Sequence, residues 1–441
     1  MSIMKCRASF SSMAAGASRP RSATDGLVAL SGLAGFVGAL SVLLAFRPFA
    51  DPAYSALTLI AGVAGGVFAV DLLWARVHRR RTTGLDFSRW SPSPARLVVK
   101  FAGLLASFGV VAALYALFPE YWRDFYARYF HTVGLATPFV FLLAIPYIYC
   151  IDAVMIAPED GLWHLGSLVL LRFDRVNRAV AWQHLLGWLV KGFFLPLMFT
   201  YACMNFEGLA SRAAPNLHSF KSIYDWSYEF LYFIDVVFAT SGYVFSLRLT
   251  DTHLRSAEPT AVGWAAALIC YEPFWGLIGA KYLAYDVGRP WGEIMWDHPI
   301  LYAVWGTSIL ALVVVYVWAT IMFGCRFSNL THRGVLTNGP YRFTKHPAYI
   351  SKNLSWWLIS LPFMTGGVLA GMRNCLLLLI LNGIYVIRAW TEERHLRRDP
   401  DYVAYAHWME ENGLFRFLAS WGKTLADFAG QADRRAISRR R

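Results

Sequence analysis

The chain has 441 residues, of which 57% are hydrophobic and 16% are charged, and its mean hydropathy is +0.41. A soluble protein of this length needs more charge on its surface, so the composition argues against an ordinary soluble globular domain. The net charge of +13 would favour nucleic-acid binding in a soluble protein. Here the basic residues lie mostly between apolar blocks, so we expect no nucleic-acid partner.

The six cysteines are scattered singly without metal-ligand spacing, so we predict no metal site.

The amino-terminal segment is basic and contains no acidic side chain before Asp25. Lys5, Arg7, Arg19 and Arg21 lie among serines and alanines, a composition that resembles a transit peptide weakly. The interpretation that we favour is a disordered basic tail over residues 1–25. Such a tail would help to hold the amino terminus on the cytoplasmic side of a membrane.

Ten apolar blocks follow this tail. They cover residues 26–45, 53–74, 97–118, 133–149, 185–204, 231–247, 261–283, 301–323, 354–369 and 376–387. Several reach the roughly 20 residues that a helix needs to cross a hydrocarbon layer of about 30 Å. The last two blocks are shorter, and we expect them to be tilted or to form a tight hairpin. We therefore predict an all-α, polytopic transmembrane fold with about ten spans.

Basic residues are concentrated in every second loop between these blocks. The run Arg79–Arg81, the cluster 172–178 and the segment 326–352 all fall on the side of the amino terminus. The opposite loops, such as 48–52 and 285–298, carry fewer basic residues. By the positive-inside rule, this alternation predicts an integral membrane protein with both termini and the loop 326–352 on the cytoplasmic side.

Along the chain, two membrane regions differ in character. Residues 26–300 contain apolar blocks with no motif that indicates a role, although Asp235 and Glu272 lie within those blocks. Acids inside a membrane are costly, so these two either line a substrate cavity or make structural hydrogen bonds, and both interpretations stay open. Residues 301–418 combine a long apolar block, a polar loop, a short hairpin and a charged helix, and residues 419–441 form a basic tail.

The polar loop at residues 333–349 reads RGVLTNGPYRFTKHPAY. Asn-Gly-Pro at 338–340 is a turn signal, and Lys-His-Pro at 345–347 leads directly into an apolar helix. Free backbone N–H groups at that helix start favour an anionic group, and the lysine and histidine add donors there. Tyr341 and Tyr349 offer rings for stacking. The loop is therefore a candidate for holding a carboxylate beside an aromatic group.

A second polar element ends the last apolar block. Arg388 and Glu392 are four residues apart, so on a helix they share one face. Glu392 and Glu393 lie where a span would meet water, and either side chain is suited to accept hydrogen bonds from hydroxyl or amino groups. Tyr402 and Tyr405 follow in an amphipathic segment that we expect to lie along the membrane.

Together the two elements resemble the isoprenylcysteine carboxyl methyltransferase family, to which phospholipid N-methyltransferases are closely related. The resemblance covers about residues 320–418: Leu-Thr-x-Gly-x-Tyr-x-x-x-(basic)-His-Pro-x-Tyr, an apolar hairpin, then Arg-x-x-x-Glu-Glu-x-x-Leu. It implies a membrane methyltransferase unit within residues 301–418 that uses S-adenosylmethionine. The implied cofactor contacts are Arg333, Gly334, Val335, Leu336, Tyr341, His346, Pro347, Ala348, Tyr349 and Glu392. The family's acceptor-contacting position falls on Arg388, so the implied catalytic residues are Arg388 and Glu392.

The sequence departs from the family pattern at three positions. Arg333 stands where the family often has histidine, although His332 is adjacent and would fit with a one-residue slip. Ser351 stands where the family tends to have glycine, which affects close helix packing. Lys345 replaces the usual arginine before the His-Pro pair and keeps the charge without the bidentate fork.

The expected function is methyl transfer to a lipophilic or lipid-linked acceptor in contact with membrane lipids. A carboxylate acceptor needs no base, and Arg388 would orient it. An amine acceptor must lose a proton, and Glu392 is the candidate base.

Two alternative functions stay open: a transporter or membrane scaffold with a degenerate methyltransferase-like end, and a nicotinamide-dependent enzyme like the steroid-nucleus reductases. Those reductases favour asparagine where this chain has Pro347, which argues against them.

Overall fold

A computed structural model describes residues 18–364 and 366–417. The model is 73% helical, and its described residues form fourteen α-helices. The prediction of a largely helical chain is therefore confirmed. The only strands in the described residues are two short segments of two residues each, which pair with one another in antiparallel register.

The helices, in chain order, are α1 (Gly26–Phe46), α2 (Pro52–Ala69), α3 (Pro94–Leu117), α4 (Ala127–Val154), α5 (Gly161–Val169), α6 (Arg178–Ser211), α7 (Phe220–Val244), α8 (Ala261–Leu268), α9 (Ala280–Tyr282), α10 (Trp291–Met295), α11 (Pro299–Ile321), α12 (Pro347–Ser360), α13 (Val368–Leu396) and α14 (Pro400–Asn412). The strands are β1 (Ser256–Ala257) and β2 (Thr331–His332). Many helices begin where a polar side chain caps free backbone N–H groups, as Asp25 does for Val28 at α1 and Ser93 does for Arg96 at α3.

Seven of the helical segments are long and apolar enough to cross a membrane. They are Gly26–Phe46, Pro52–Trp74, Pro94–Leu117, Asp124–Val154, Arg178–Ser211, Pro299–Ile321 and Val368–Leu396. The three other apolar blocks of the sequence take different forms. Helix α7 carries four charged residues, residues 261–283 are interrupted around the Glu272–Pro273 bond, and α12 has 14 residues. Large apolar side chains are exposed along the candidate spans, as expected for helices that face lipid.

Glycines allow the first two helices to pack with their backbones in contact. A Cβ atom on Gly35 would lie 2.0 Å from the carbonyl oxygen of Gly62, and a Cβ on Gly66 would lie 2.1 Å from that of Ser31. Phe36 and Val63 are fully buried beside this contact. Small residues at such a crossing are typical of membrane helix pairs.

The connecting segments at one end of the helix bundle pack against one another, and we call this region the loop end. It consists of residues 18–25, 75–93, 155–177, 245–260 and 322–346. Backbone hydrogen bonds join these segments: Ala23 N–H donates to the carbonyl of Val335 (2.8 Å), and Arg255 N–H donates to that of His332 (2.9 Å). The loop end therefore brings the polar loop together with segments from the amino-terminal half.

Part of the predicted disordered tail is ordered. Residues 18–25 form an extended segment, in which the Thr24 hydroxyl donates to the carbonyl of Met322 at 2.6 Å. The prediction of disorder over 1–25 is thus wrong for residues 18–25, because their polar groups pair with the loop end. Residues 1–17 and the predicted basic tail 419–441 lie outside the described residues.

Candidate functional site

Both polar elements of the sequence line one cavity at the loop end, which we call the motif cavity. Its volume is about 120 Å³. Of the predicted cofactor and acceptor contacts, seven line it: Tyr341, His346, Pro347, Ala348, Tyr349, Arg388 and Glu392. The first five belong to the loop and the start of α12, and the last two belong to α13. The structure therefore brings these seven residues together, and their roles stay a prediction.

A carboxylate on α13 holds the loop in this position. Glu393 accepts a hydrogen bond from Nζ of Lys345 at 2.6 Å, and its other oxygen lies 3.0 Å from Nε2 of His346. Pro347 then begins α12, with its fixed backbone angle suited to the first helical turn. The basic pair of the first element and the second glutamate of the second element therefore fasten the two elements together.

The other glutamate has a different environment. Oε2 of Glu392 accepts a hydrogen bond from the Tyr349 hydroxyl at 2.9 Å, and the Tyr349 ring stacks on that of His346 with centroids 5.4 Å apart. Among the described residues, Oε1 of Glu392 has no hydrogen-bond partner. Glu392 can therefore accept a further hydrogen bond from a ligand, whereas Glu393 is engaged by Lys345 and His346.

Arg388 is a buried cation without an acidic partner. Its side chain is 5% exposed, and its Nη2 donates one hydrogen bond to Oδ1 of Asn329 at 3.2 Å. The guanidinium carbon lies 5.7, 5.1 and 5.0 Å from the ring centroids of Tyr271, Tyr349 and Tyr385. In the part of the chain that the structure describes, Arg388 forms no ion pair, so aromatic ring faces provide the compensation for its charge.

The first four predicted cofactor contacts lie outside the motif cavity. The guanidinium of Arg333 donates to the backbone carbonyls of Gly242, Phe245, Thr252 and Phe327, around the end of α7. Because these carbonyls engage the donors of Arg333, its guanidinium stabilises the packing of the loop end. Burial lowers the pKa of Arg333 to about 9. Arg333 thus does not line the motif cavity, and its role as a cofactor contact stays a prediction.

Its neighbours in the loop also serve the packing of the loop end. Gly334 adopts φ +117°, a conformation that favours glycine, and the carbonyl of Val335 pairs with the amino-terminal segment. Leu336 packs in an apolar cluster with Met322 and Tyr341. These three positions, like Arg333, do not line the motif cavity, whereas Tyr341 and residues 345–349 of the same loop do. His332, the proposed substitute, is hydrogen bonded to Asp399 instead.

Several cavity residues were not anticipated from the sequence. They are Glu258, Tyr271, Tyr316, Asn329, Lys352, Tyr385 and His395. Tyr385 and His395 lie at helical spacing from Arg388 on α13, so the periodicity of that helix could have identified them. Glu258 and Tyr271 come from the region of residues 26–300, where no motif marks them.

The two acids that the sequence places within apolar blocks, Asp235 and Glu272, differ in their relation to the cavity. Asp235 on α7 accepts hydrogen bonds from the hydroxyls of Tyr316 (2.7 Å) and Thr320 (2.5 Å), and both partners line the motif cavity. Asp235 thus orients two lining residues, although it does not line the cavity itself. Glu272 accepts a hydrogen bond from the backbone N–H of Gly276 at 3.1 Å and does not line the cavity.

The lining side chains match the polar groups of S-adenosylmethionine. Lys352 is a cation suited to a carboxylate, Glu392 has an oxygen available for a ribose hydroxyl, and Tyr341 and Tyr349 offer rings for an adenine. The volume of about 120 Å³ is below the roughly 300–1,000 Å³ that is usual for small-molecule sites. Binding of this cofactor therefore requires lining side chains to move apart.

The chain was compared with protein-family models, curated proteins and solved structures, and no match was found. The two sequence elements and the geometry of the motif cavity are therefore the features that indicate a function.

Proposed function

We propose that this protein is an integral membrane methyltransferase that uses S-adenosylmethionine and acts on a lipophilic or lipid-linked acceptor. The observation that carries the proposal is the meeting of the two resembling sequence elements in one cavity around Arg388. A protein that shared only the fold of this family would not require a buried guanidinium that, among the described residues, has a single side-chain hydrogen bond and no ion pair.

We further propose ten membrane crossings, with the loop end in the cytoplasm. Seven come from the candidate spans. The other three would be α7, the interrupted segment 261–283 and α12, each of which leaves or reaches the loop end. Support comes from the basic run Arg79–Arg81 and from Arg326, both within or beside segments of that end. A cytoplasmic loop end would give the motif cavity access to the cofactor from water.

The cofactor's sulfonium supplies an activated methyl group. In the transfer, the bond between methyl carbon and sulfur breaks as a bond from the acceptor atom to that carbon forms. The electrons of the broken bond stay on sulfur, which leaves as the neutral thioether. Glu392 would bind a cofactor hydroxyl or amino group through its available oxygen. Arg388 would orient the acceptor so that its attacking atom lies in line with the breaking bond.

A carboxylate is the acceptor that this site favours. Arg388 lacks an acidic partner among the described residues, and a bound carboxylate would provide the missing negative charge. The carboxylate is already ionised, so no base is required. An amine acceptor would release a proton, for which Glu392 is the nearest candidate base, but it would leave the charge of Arg388 unmatched.

The test is a pair of titrations of the detergent-purified full chain with S-adenosylmethionine and with NADPH. We expect binding of S-adenosylmethionine and of its demethylated product, and none of NADPH. Glu392→Gln should weaken cofactor binding about tenfold, through loss of a charge-assisted hydrogen bond. Glu411→Gln, at an exposed position on α14, is the matched control. Binding of NADPH alone would favour the reductase class, and binding of neither would favour a transporter or scaffold.

A further inference from the structure

A second and larger cavity lies in the amino-terminal half, between α3, α4, α5 and α6 and the segment 245–257. Its volume is about 410 Å³, within the roughly 300–1,000 Å³ of small-molecule sites. None of its lining residues lines the motif cavity. We call it the amino-terminal cavity, and it lies in the region for which the sequence indicated no role.

The wall of the amino-terminal cavity is amphipathic. Leu104, Ile148, Ile151, Val180 and Leu254 form its apolar part. The polar part contains four cationic side chains and two carboxylates: Lys100, Lys191, Arg248 and Arg255 against Asp152 and Asp160. Arg255 is compensated from outside the wall, because it lies 3.4 Å from Asp251 and 3.9 Å from Asp399, which leaves one lining cation in excess. A ligand that matches this wall has an anionic group and an apolar portion.

Both carboxylates of the wall already have cationic partners. Nζ of Lys100 lies 2.9 Å from Asp152 and 3.4 Å from Asp160. Asp152 also pairs with Arg96 at 2.8 Å, and Asp160 lies 3.8 Å from Arg248. These pairs leave no carboxylate of the wall to compensate a further cation.

Lys191 is that further cation. It lies in the interior of α6, one of the seven candidate spans. Among the described residues its Nζ has no hydrogen bond and no ion pair, and the centroid of the Trp188 ring is 5.9 Å away. An ammonium group within a span is costly unless it faces a cavity or meets an anion. A bound anion would supply the partner that the protein does not.

The other titratable side chains at the loop-end side of this cavity add no free positive charge. His253, which lines the cavity, has its pKa lowered to about 3, chiefly by burial and further by Arg248 and Arg255. His253 is therefore neutral at physiological pH. Arg248 lies 3.8 Å from Asp160, and Arg255 lies 3.4 Å from Asp251, so both arginines already have acidic partners and Lys191 does not.

We propose that the amino-terminal cavity binds a membrane lipid with an anionic headgroup, whose negative charge pairs with Lys191 and whose chain follows the apolar wall. The shared chemistry is an anionic oxygen group, either a phosphate or a carboxylate. A lipid is favoured over a free anion because apolar side chains form much of the wall and the cavity lies among candidate spans. The proposal does not rest on the methyltransferase assignment.

The experiment measures lipid binding to the delipidated full chain by native mass spectrometry in a neutral detergent. The probes are phosphatidylglycerol, oleate, phosphatidylcholine and inorganic phosphate. We expect phosphatidylglycerol or oleate to bind about tenfold more tightly than phosphatidylcholine, as charge-assisted pairing with Lys191 requires. Inorganic phosphate alone should bind weakly, since it cannot use the apolar wall.

Two variants test the site itself. Lys191→Met keeps the length of the side chain, removes an unpaired cation and should leave the fold intact, yet abolish the preference for anionic lipid. Ala144→Phe fills the cavity without changing its charge and should lower lipid binding about tenfold. Lys281→Met, at an exposed lysine on α9, is the matched control. Cofactor affinity should be unchanged in all three, which separates this test from that of the proposed function.

Equal binding of phosphatidylglycerol and phosphatidylcholine to the wild-type chain would overturn the proposal. So would full retention of the preference in Lys191→Met. Tight binding of inorganic phosphate without binding of either anionic lipid would assign the cavity to a free anion instead, which also contradicts a lipid ligand.

Discussion

Three buried arginines near the loop end differ in what compensates their charge. Arg326 pairs with Asp71 at 3.0 Å, and Arg333 donates to several backbone carbonyls. Arg388 instead donates one hydrogen bond, to Asn329, and lies among three tyrosine rings. A guanidinium has five N–H donors, so Arg388 retains capacity for a ligand that the other two have given to the fold.

The first prediction concerns Arg388. Arg388→Ala should leave cofactor binding nearly unchanged and abolish methyl transfer, because the lost contact is to the acceptor. Arg388→Lys should restore little activity with a carboxylate acceptor held by two parallel hydrogen bonds. The measurements are calorimetry with S-adenosylmethionine and transfer of labelled methyl into a membrane-lipid extract. Arg373→Ala, at an exposed arginine on α13, is the control. Equal loss of cofactor affinity in Arg388→Ala and Glu392→Gln would contradict this division of roles.

At the scale of elements, the amino-terminal segment 18–25 acts as a strap across the polar loop. The Thr337 hydroxyl donates to the carbonyl of Pro20 at 2.7 Å, and its N–H donates to Oγ of Ser22 at 3.1 Å. Asn338 Nδ2 donates to the carbonyl of Thr24 at 2.8 Å. Because the same loop continues to His346, the strap helps to set the geometry of the motif cavity.

The second prediction is that Thr337→Val loosens the strap. The valine keeps the shape but leaves the Pro20 carbonyl without its donor, which costs about 1 kcal/mol and corresponds to a roughly fivefold shift in the equilibrium. Limited trypsin cleavage after Arg21 should therefore become roughly fivefold faster. Thr331→Val is the control, because the Thr331 hydroxyl is buried without a partner and its removal breaks no hydrogen bond. An unchanged cleavage rate in Thr337→Val would show that the strap does not depend on this contact.

Helix α14 is fastened to the loop end by a titratable pair. Nε2 of His332 donates to Oδ2 of Asp399 at 2.5 Å, and Asp399 also caps α14 by accepting from the N–H of Asp401. Burial lowers the pKa of His332, although Asp399 opposes this effect. Burial alone would raise the pKa of Asp399, but the hydrogen bonds from His332 and Asp401, together with the charges of His332 and Arg255, outweigh burial and lower that pKa. Both shifts favour neutral histidine beside ionised aspartate.

The third prediction is that docking of α14 weakens in acid. A histidine whose folded pKa is lowered destabilises the folded state as pH falls below its ordinary value of 6.5, since the undocked form takes up the proton first. The contribution of Asp399 is lost at lower pH, as pH falls through its own lowered pKa. Amide hydrogen exchange in residues 400–412, corrected for intrinsic rates, should therefore be faster at pH 5 than at pH 8.

Two variants test whether His332 is the group that causes this pH dependence. His332→Gln should flatten it between pH 8 and pH 5, because the titrating group is gone. His407→Gln, at an exposed histidine on α14 itself, should leave it unchanged. A profile that His332→Gln does not alter would show that another group controls the docking of α14.

At the scale of the molecule, local patterns in the sequence predicted the helices and part of the site. The loop-to-helix junction at His346 and the helical spacing of Arg388 and Glu392 are local features, and all three residues line the motif cavity. Glu258 and Tyr271 enter the same cavity from distant segments, where tertiary packing rather than any local pattern positions them. The pairing of β1 with β2 and the carbonyls around α7 determine where Arg333 points, so its neighbours in sequence could not indicate its role.

The last prediction concerns the orientation of the whole chain. Gly84 lies at the loop end, together with segments that carry much of the basic charge, whereas Ala214 lies in the connection between α6 and α7 at the opposite end. If the loop end is cytoplasmic, a reporter inserted near Gly84 and one fused after Arg441 should both report cytoplasm. A reporter near Ala214 should report the other side. An even number of crossings requires agreement between the first two reporters, and the helix order requires the third to differ. Disagreement between the Gly84 and Arg441 reporters would contradict ten crossings and would mean that one of α7, residues 261–283 and α12 does not cross.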